Sequence, residues 1–184
     1  KVVDGDAVID RVDVEIERAC IDLLRLGAKD EHGIRSVLTI VKVNNELERI
    51  ADCAVIVAES AINSEDLISI APPTFRVMAN SVVGMSRDTN HALSESSTEM
   101  AIRVLSFDDT VSRFRKEIVL DVQQRISNGE LDPLVAFELL AVTKSLERVA
   151  DHCTNICEQV IYLETGKIVR HLPDGWAAPE KPSF

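Results

Sequence analysis

Glycine and proline are scarce in this sequence, with 7 and 6 among 184 residues, and aromatic residues make up only 4%. With Leu, Val, Ile, Ala and Glu abundant, that composition predicts an all-α protein. No stretch alternates apolar and polar residues as a half-buried strand would. No apolar run reaches the roughly 18 residues needed to span a bilayer, and no signal peptide is visible, so no direct membrane insertion is expected. Basic residues are outnumbered: 20 Lys and Arg face 31 Asp and Glu, giving a net charge of −11 and a pI near 4.8. That argues against nucleic acid, whose phosphates need a basic patch. The four cysteines form no CxxC and no secreted framework, which points to a reducing, cytoplasmic compartment. Enzyme motifs are missing too. There is no Gly-rich phosphate loop, no Gly-x-Ser-x-Gly and no His-Glu-x-x-His. A di-iron bundle would need Glu-x-x-His on two helices, and the nearest match is Asp88-Thr-Asn-His91.

What remains is hydrophobic enough to fold. Apolar residues make up 46% and mean hydropathy is +0.06. They recur every three to four positions, the period of an amphipathic helix. Five helical segments are expected. The first runs from Asp6 to about Leu26, opened by capping carboxylates in "DGD" and stopped by Gly27. The second runs from about Glu31 to Ala61. After the "APP" break, Thr74 caps a third that reaches about Leu105. The fourth covers about Asp108 to Ser127, closed by Gly129. Asp132-Pro133 opens the fifth in the favoured cap-then-Pro order, and Gly166 stops it after Thr165. Three of these exceed thirty residues, which implies an elongated antiparallel bundle. Trp176 offers an anchor for the Pro-rich tail.

The chain writes one box twice. "LERIADCAVIVAE" begins at Leu47 and "LERVADHCTNICE" at Leu146, 99 residues apart. Each box sits on a long helix preceded by a shorter one that opens with Asp. The second half has a further long helix before its pair, and the first half lacks the counterpart. The first residue is Lys1, so we expect a piece of a longer protein. The economical reading is two pseudo-repeated antiparallel three-helix bundles, with the first helix of the first bundle absent from this chain. The repeats would span residues 1–66, incomplete at the start, and 72–171, with a tail at 172–184.

The boxes carry the chemistry worth weighing. Positions i and i+4 share a helix face, so Glu48 pairs with Asp52 and Glu147 with Asp151. Two carboxylates do not complete a metal site. Asp6 and Asp10 are the natural suppliers of more oxygens in the first unit. Asp108 is the matching supplier in the second, with Ser112 where a second carboxylate would stand. Hard oxygen ligands suit Mg, Mn, Ca or iron. The plainer alternative is surface carboxylates paired with Arg49 or Arg148. His152 follows the second box, about 100° around the helix from Asp151, and is expected to be a satisfied or exposed histidine. Cys153 and Cys157 lie in the apolar stripe and are expected to be small core residues.

The stretch "LERVADHCTNICEQVIYLETGKIVRH", Leu146 to His171, closely resembles the closing signature of the PhoU family, and "LERIADCAVIVAE" resembles that family's first-half box. Ala150 stands where the family usually has Gly, Ile56 where the first box usually has Asn, and Ser97 and Ser112 where Asp is frequent. The resemblance implies a PhoU-like all-α fold and metal ions held on Glu/Asp-x-x-x-Asp motifs, here Glu48, Asp52, Asp6 and Asp10, then Glu147, Asp151 and Asp108. Divalent or ferric ions (iron, Mg, Mn or Zn) are the expected cofactors. It also implies a non-catalytic, homodimeric regulator of phosphate uptake, linking the ATPase of the phosphate ABC importer to a sensor histidine kinase. The alternative it implies is a PhoU-like accessory domain of a larger phosphate or ion transporter.

Overall fold

The structure is a computed structural model and describes residues 1–27, 30–63, 67–172 and 175–177. Among these the chain is helical nearly throughout. The elements are α1 (Val2–Leu26), α2 (Glu31–Asn63), α3 (Leu67–Ile70), α4 (Pro73–Ser94), α5 (Thr98–Leu105), α6 (Asp108–Ser127) and α7 (Pro133–Thr165). A short antiparallel ribbon follows, β1 (Arg170–Leu172) with β2 (Gly175–Ala177), Trp176 opposite His171. The expected all-α class stands, with that ribbon as an addition across the boundary between the second repeat and the Pro-rich tail. Pro173, Asp174 and residues 178–184 of that segment lie outside the described residues.

Three boundaries differ from expectation, each for a local reason. First, α1 starts at Val2, so "DGD" lies inside the helix. Asp4 sits in the first turn, where a carboxylate suits the positive end of the dipole. Second, the third long helix is two. The chain turns at Ser96, whose φ is +50°, and Ser97 Oγ accepts a bond from Met100 N at 3.3 Å to start α5. The run Ser94-Glu95-Ser96-Ser97-Thr98 is rich in hydroxyls, which compete with helical carbonyls and favour caps over helix interiors. Third, α4 opens on Pro72 and Pro73 with no side-chain cap, not on Thr74.

The remaining punctuation follows the expected rules. Asp132 Oδ1 accepts from Leu134 N at 2.8 Å and Val135 N at 3.4 Å, capping α7 beside Pro133. Gly166 ends α7 at φ +70°, and a Cβ there would stand 2.7 Å from Arg35 Nη1. Glycine is therefore needed twice, for the left-handed cap and for the approach of Arg35. Arg35 uses that space to donate from Nε to Leu163 O at 3.1 Å, clamping the start of α2 to the end of α7.

α7 is the hub. One side packs on α2 and the other on α4, α5 and α6. From Val142 to Ile161 nearly every residue is at least half-buried, a helix covered almost all round as a central one must be. Met78, Ile118, Leu139 and Ile156 are fully buried. By contrast, α1 packs mainly on α2. It leaves Val8, Ile9, Val12, Ile21 and Leu24 exposed, while Leu38 and Leu47 of α2 also face outward.

Candidate functional site

The carboxylates of the first group come within electrostatic range of one another. α1 and α2 lie side by side, joined through Asn44 Nδ2, which donates to Asp13 O at 3.0 Å and Asp13 Oδ1 at 2.7 Å. This register brings Asp6 within electrostatic reach of Asp52. Partial desolvation, and then the charges of Asp10, Asp52 and Glu59, hold the Asp6 carboxyl above its usual range. Glu48 is pushed up in the same way, by desolvation first and then by Asp52, with Asp13 and Asp10 adding to it and Arg49 opposing it. Raised carboxyls that crowd one another in this way mark a surface that gains from a bound cation. Arg49, a suggested partner of Glu48, instead donates from Nε to Asn45 Oδ1 at 3.0 Å.

The second group is different. Glu147 is buried at 9% exposure, and its Oε2 receives Lys144 Nζ at 2.5 Å and Arg115 Nε at 3.1 Å. The arginine comes from α6, which the box alone did not announce; the suggested partner was Arg148. Two cations already neutralise this carboxylate. Asp151 is raised by partial desolvation and by the Glu147 charge, while Lys144 and His152 pull the other way. Asp108 lies in the first turn of α6. Among the described residues no three His, Cys, Asp or Glu side chains converge closely enough to hold a metal ion directly. The α1–α2 face therefore fits a cation in charge but presents no closed coordination shell, and the Glu147 site fits poorly even in charge.

The most connected polar group was not foreseen. Glu46 Oε2 faces His152 Nδ1 at 2.7 Å and accepts from Asn155 Nδ2 at 3.0 Å, tying α2 to α7. Burial alone would raise Glu46, but the bonds from His152 and Asn155 outweigh it and the carboxyl is lowered. A readable signal existed: Glu46 sits in the seam Thr39, Val43, Ile50, Cys53 and Val57, and a carboxylate in an apolar seam requires a partner. His152 itself is buried, and its Nε2 has no hydrogen-bond partner among the described residues.

All four cysteines are buried and free. Burial pushes the Cys157 thiol up to about 12, against a weak bond to Thr89, so it is neutral at any physiological pH. We expect a thiol reagent at pH 8 to label none of the four in the native chain and all of them in denaturant. Replacing Cys153 and Cys157 together by Ala should cost about 1–3 kcal/mol in urea unfolding.

Long helices packed around α7, with one carboxylate box written on both α2 and α7, define a class of helical-bundle proteins. Comparison narrows it. The PhoU domain profile matches residues 1–61 and again 75–160, so this chain belongs to the PhoU domain family. It is 32% identical over 177 residues to the "Phosphate-specific transport system accessory protein PhoU homolog 1" of Thermotoga maritima, covering 95% of this chain and 76% of that protein. It is 33% identical over 174 residues to the PhoU homolog of Clostridium acetobutylicum, covering 91% and 78%. The crystal structure of PhoU from Pseudomonas aeruginosa superposes with a TM-score of 0.82 at 26% identity, covering 90% of this chain and 80% of that one. No helix among the described residues is long and apolar enough to cross a membrane.

Proposed function

We propose that this chain is a non-catalytic accessory regulator of phosphate uptake and of phosphate-starvation signalling. The carrying observation is that the family match spans both carboxylate boxes, and that the relatives covering most of this chain bear the name of phosphate transport accessory proteins. It acts in the cytoplasm by protein contact, between the ATPase of the phosphate importer and a sensor histidine kinase, as a homodimer. The two units proposed are residues 1–66 and 72–171. The acidic surface would steer it to basic partner faces, so association should weaken with added salt. Deleting the gene should raise phosphate uptake, or leave starvation genes on when phosphate is ample. Normal repression in the deletion strain, with no second family copy present, would reject the regulator and favour an accessory domain of a larger transporter.

We also propose metal binding, ranked by the electrostatics. Glu48, Asp52, Asp6 and Asp10 on the α1–α2 face would hold a largely hydrated divalent or ferric ion, supplying a fixed positive charge that relieves their mutual repulsion. Glu147, Asp151 and Asp108 would hold one less well, because Arg115 and Lys144 occupy Glu147. Titration with Mn²⁺ or Fe³⁺ should show the variant Glu48→Gln/Asp52→Asn losing at least tenfold in affinity. Glu147→Gln/Asp151→Asn should lose little. Equal metal content in both variants and the native chain would remove the assignment.

A further inference from the structure

Where α1, α2 and α7 meet, beside the start of the ribbon, lies a groove of about 520 Å³. That is room for a small organic molecule. The reading as a phosphate-transport accessory rests on the family match and not on this groove.

Its walls carry four carboxylates, Asp13, Glu17, Glu46 and Glu158, against two cations, Lys42 and Arg170. Arg170 is committed to Glu158, and Lys42 lies 5.7 Å from the Tyr162 ring centroid. The amides are committed with one polarity. Asn44 Nδ2 is held by two oxygens of Asp13, and Asn155 Nδ2 by Glu46. Both partners are acceptors, so each amide must turn its nitrogen to them and keep its carbonyl oxygen for something else. Gln159, 7% exposed, also lines the groove, and its Oε1 is buried with no partner among the described residues. Across the same space, burial pushes the Glu158 carboxyl up and Glu46 adds to the rise, although Arg170 and Lys42 pull it down.

The groove thus keeps more carboxylates than cations; Arg170 and the amide nitrogens of Asn44 and Asn155 are engaged, and Lys42 lies over the Tyr162 ring. An anion would add to the repulsion between Glu46 and Glu158. A bare metal ion meets no set of three converging ligands among the described residues. A protonated amine brings both N–H donors and positive charge.

We propose that this groove binds a small organic ammonium cation, with Glu158, Glu46 and Glu17 facing its charge and the carbonyl oxygens of Asn44, Asn155 and Gln159 accepting its N–H groups.

Calorimetric titration of the full chain with 1,4-diaminobutane at constant ionic strength tests this. One saturable site is expected. Glu158→Gln and Glu17→Gln should each weaken it about tenfold or more, with helicity checked by circular dichroism. Because Glu158→Gln also releases Arg170, the second variant is decisive: Glu17 makes no ion pair or hydrogen bond with any other described side chain. Glu117→Gln, an exposed change on α6, should leave the affinity unchanged. Equal heats from KCl at matched charge would overturn the proposal. So would an equal loss in Glu117→Gln, native-like binding by Glu17→Gln, or saturable binding of inorganic phosphate in place of the amine.

Discussion

Glu46→Ala should destabilise the protein by about 2–4 kcal/mol at pH 7, although Glu46 touches no proposed metal site. The variant removes the acceptor shared by His152 Nδ1 and Asn155 Nδ2. His152 is already without a partner at Nε2, so the variant would leave the whole ring unanswered in a buried position. Glu46→Gln keeps an acceptor of the same shape and should lose less. The effect carries a pH signature. The Glu46 carboxyl is lowered in the folded state from an ordinary value of 4.5. Its stabilisation is therefore present above 4.5 and is lost as pH falls toward the folded value. Asp151, Glu158, Glu48 and Asp6 are shifted the opposite way. They bind protons more readily when folded, so stability rises as pH falls toward their ordinary values of 3.8 and 4.5. The two sets therefore oppose one another in the acid range, and the Glu46 contribution is the one that acid removes. Urea unfolding at pH 7 and pH 3 should show the gap between native and Glu46→Ala narrowing at the lower pH. A gap that stays constant would mean that Glu46 acts by packing alone.

Leu139→Ala should cost about 2–5 kcal/mol, with most of the spread set by how far the surroundings can collapse. Leu139 is 0% exposed and belongs to the core cluster shared with Met78, Val111 and Ile118. Leu134 lies five residues earlier on the same helix and is 75% exposed. Leu134→Ala should change stability by no more than about 0.5 kcal/mol. Both substitutions remove the same atoms from the same helix, so only burial separates them. Similar losses in the two variants would mean that the exposed face of α7 is covered in solution.

Much of the fold was legible because the residues that decide it act locally. Gly27, Asp132-Pro133 and Gly166 ended or opened helices where their backbone preferences dictate. The break at Ser96–Ser97 was missed because the apolar period continues across it, while hydroxyl capping works on one turn only. The candidate site was less legible. The i, i+4 spacing put Glu48 and Asp52 on one face, and packing of α1 on α2 brings the charges of Asp6 and Asp10 to bear on them. Spacing could not reveal that Arg115 reaches Glu147 from another helix, or that Glu46 spans 106 residues to His152. A helix buried on one side only shows a stripe. α7 is buried on two, so His152 looked off-stripe while lying on its second buried face.

The hub helix comes after α1 to α6 in the chain, and that order fixes when the molecule can become itself. A ribosome that has released residues 1–130 has released α1 to α6, but none of the surface against which α2, α4, α5 and α6 bury their apolar sides. Until α7 emerges, only neighbours along the chain can meet, such as α1 with α2 and α4 with α5 and α6. The contact between α2 and α7 then closes a loop of about a hundred residues, an entropic cost incurred once and offset along the length of two 33-residue helices. The nascent chain is consequently a set of tethered hairpins with open greasy flanks, in need of shelter, until the hub helix clears the exit tunnel.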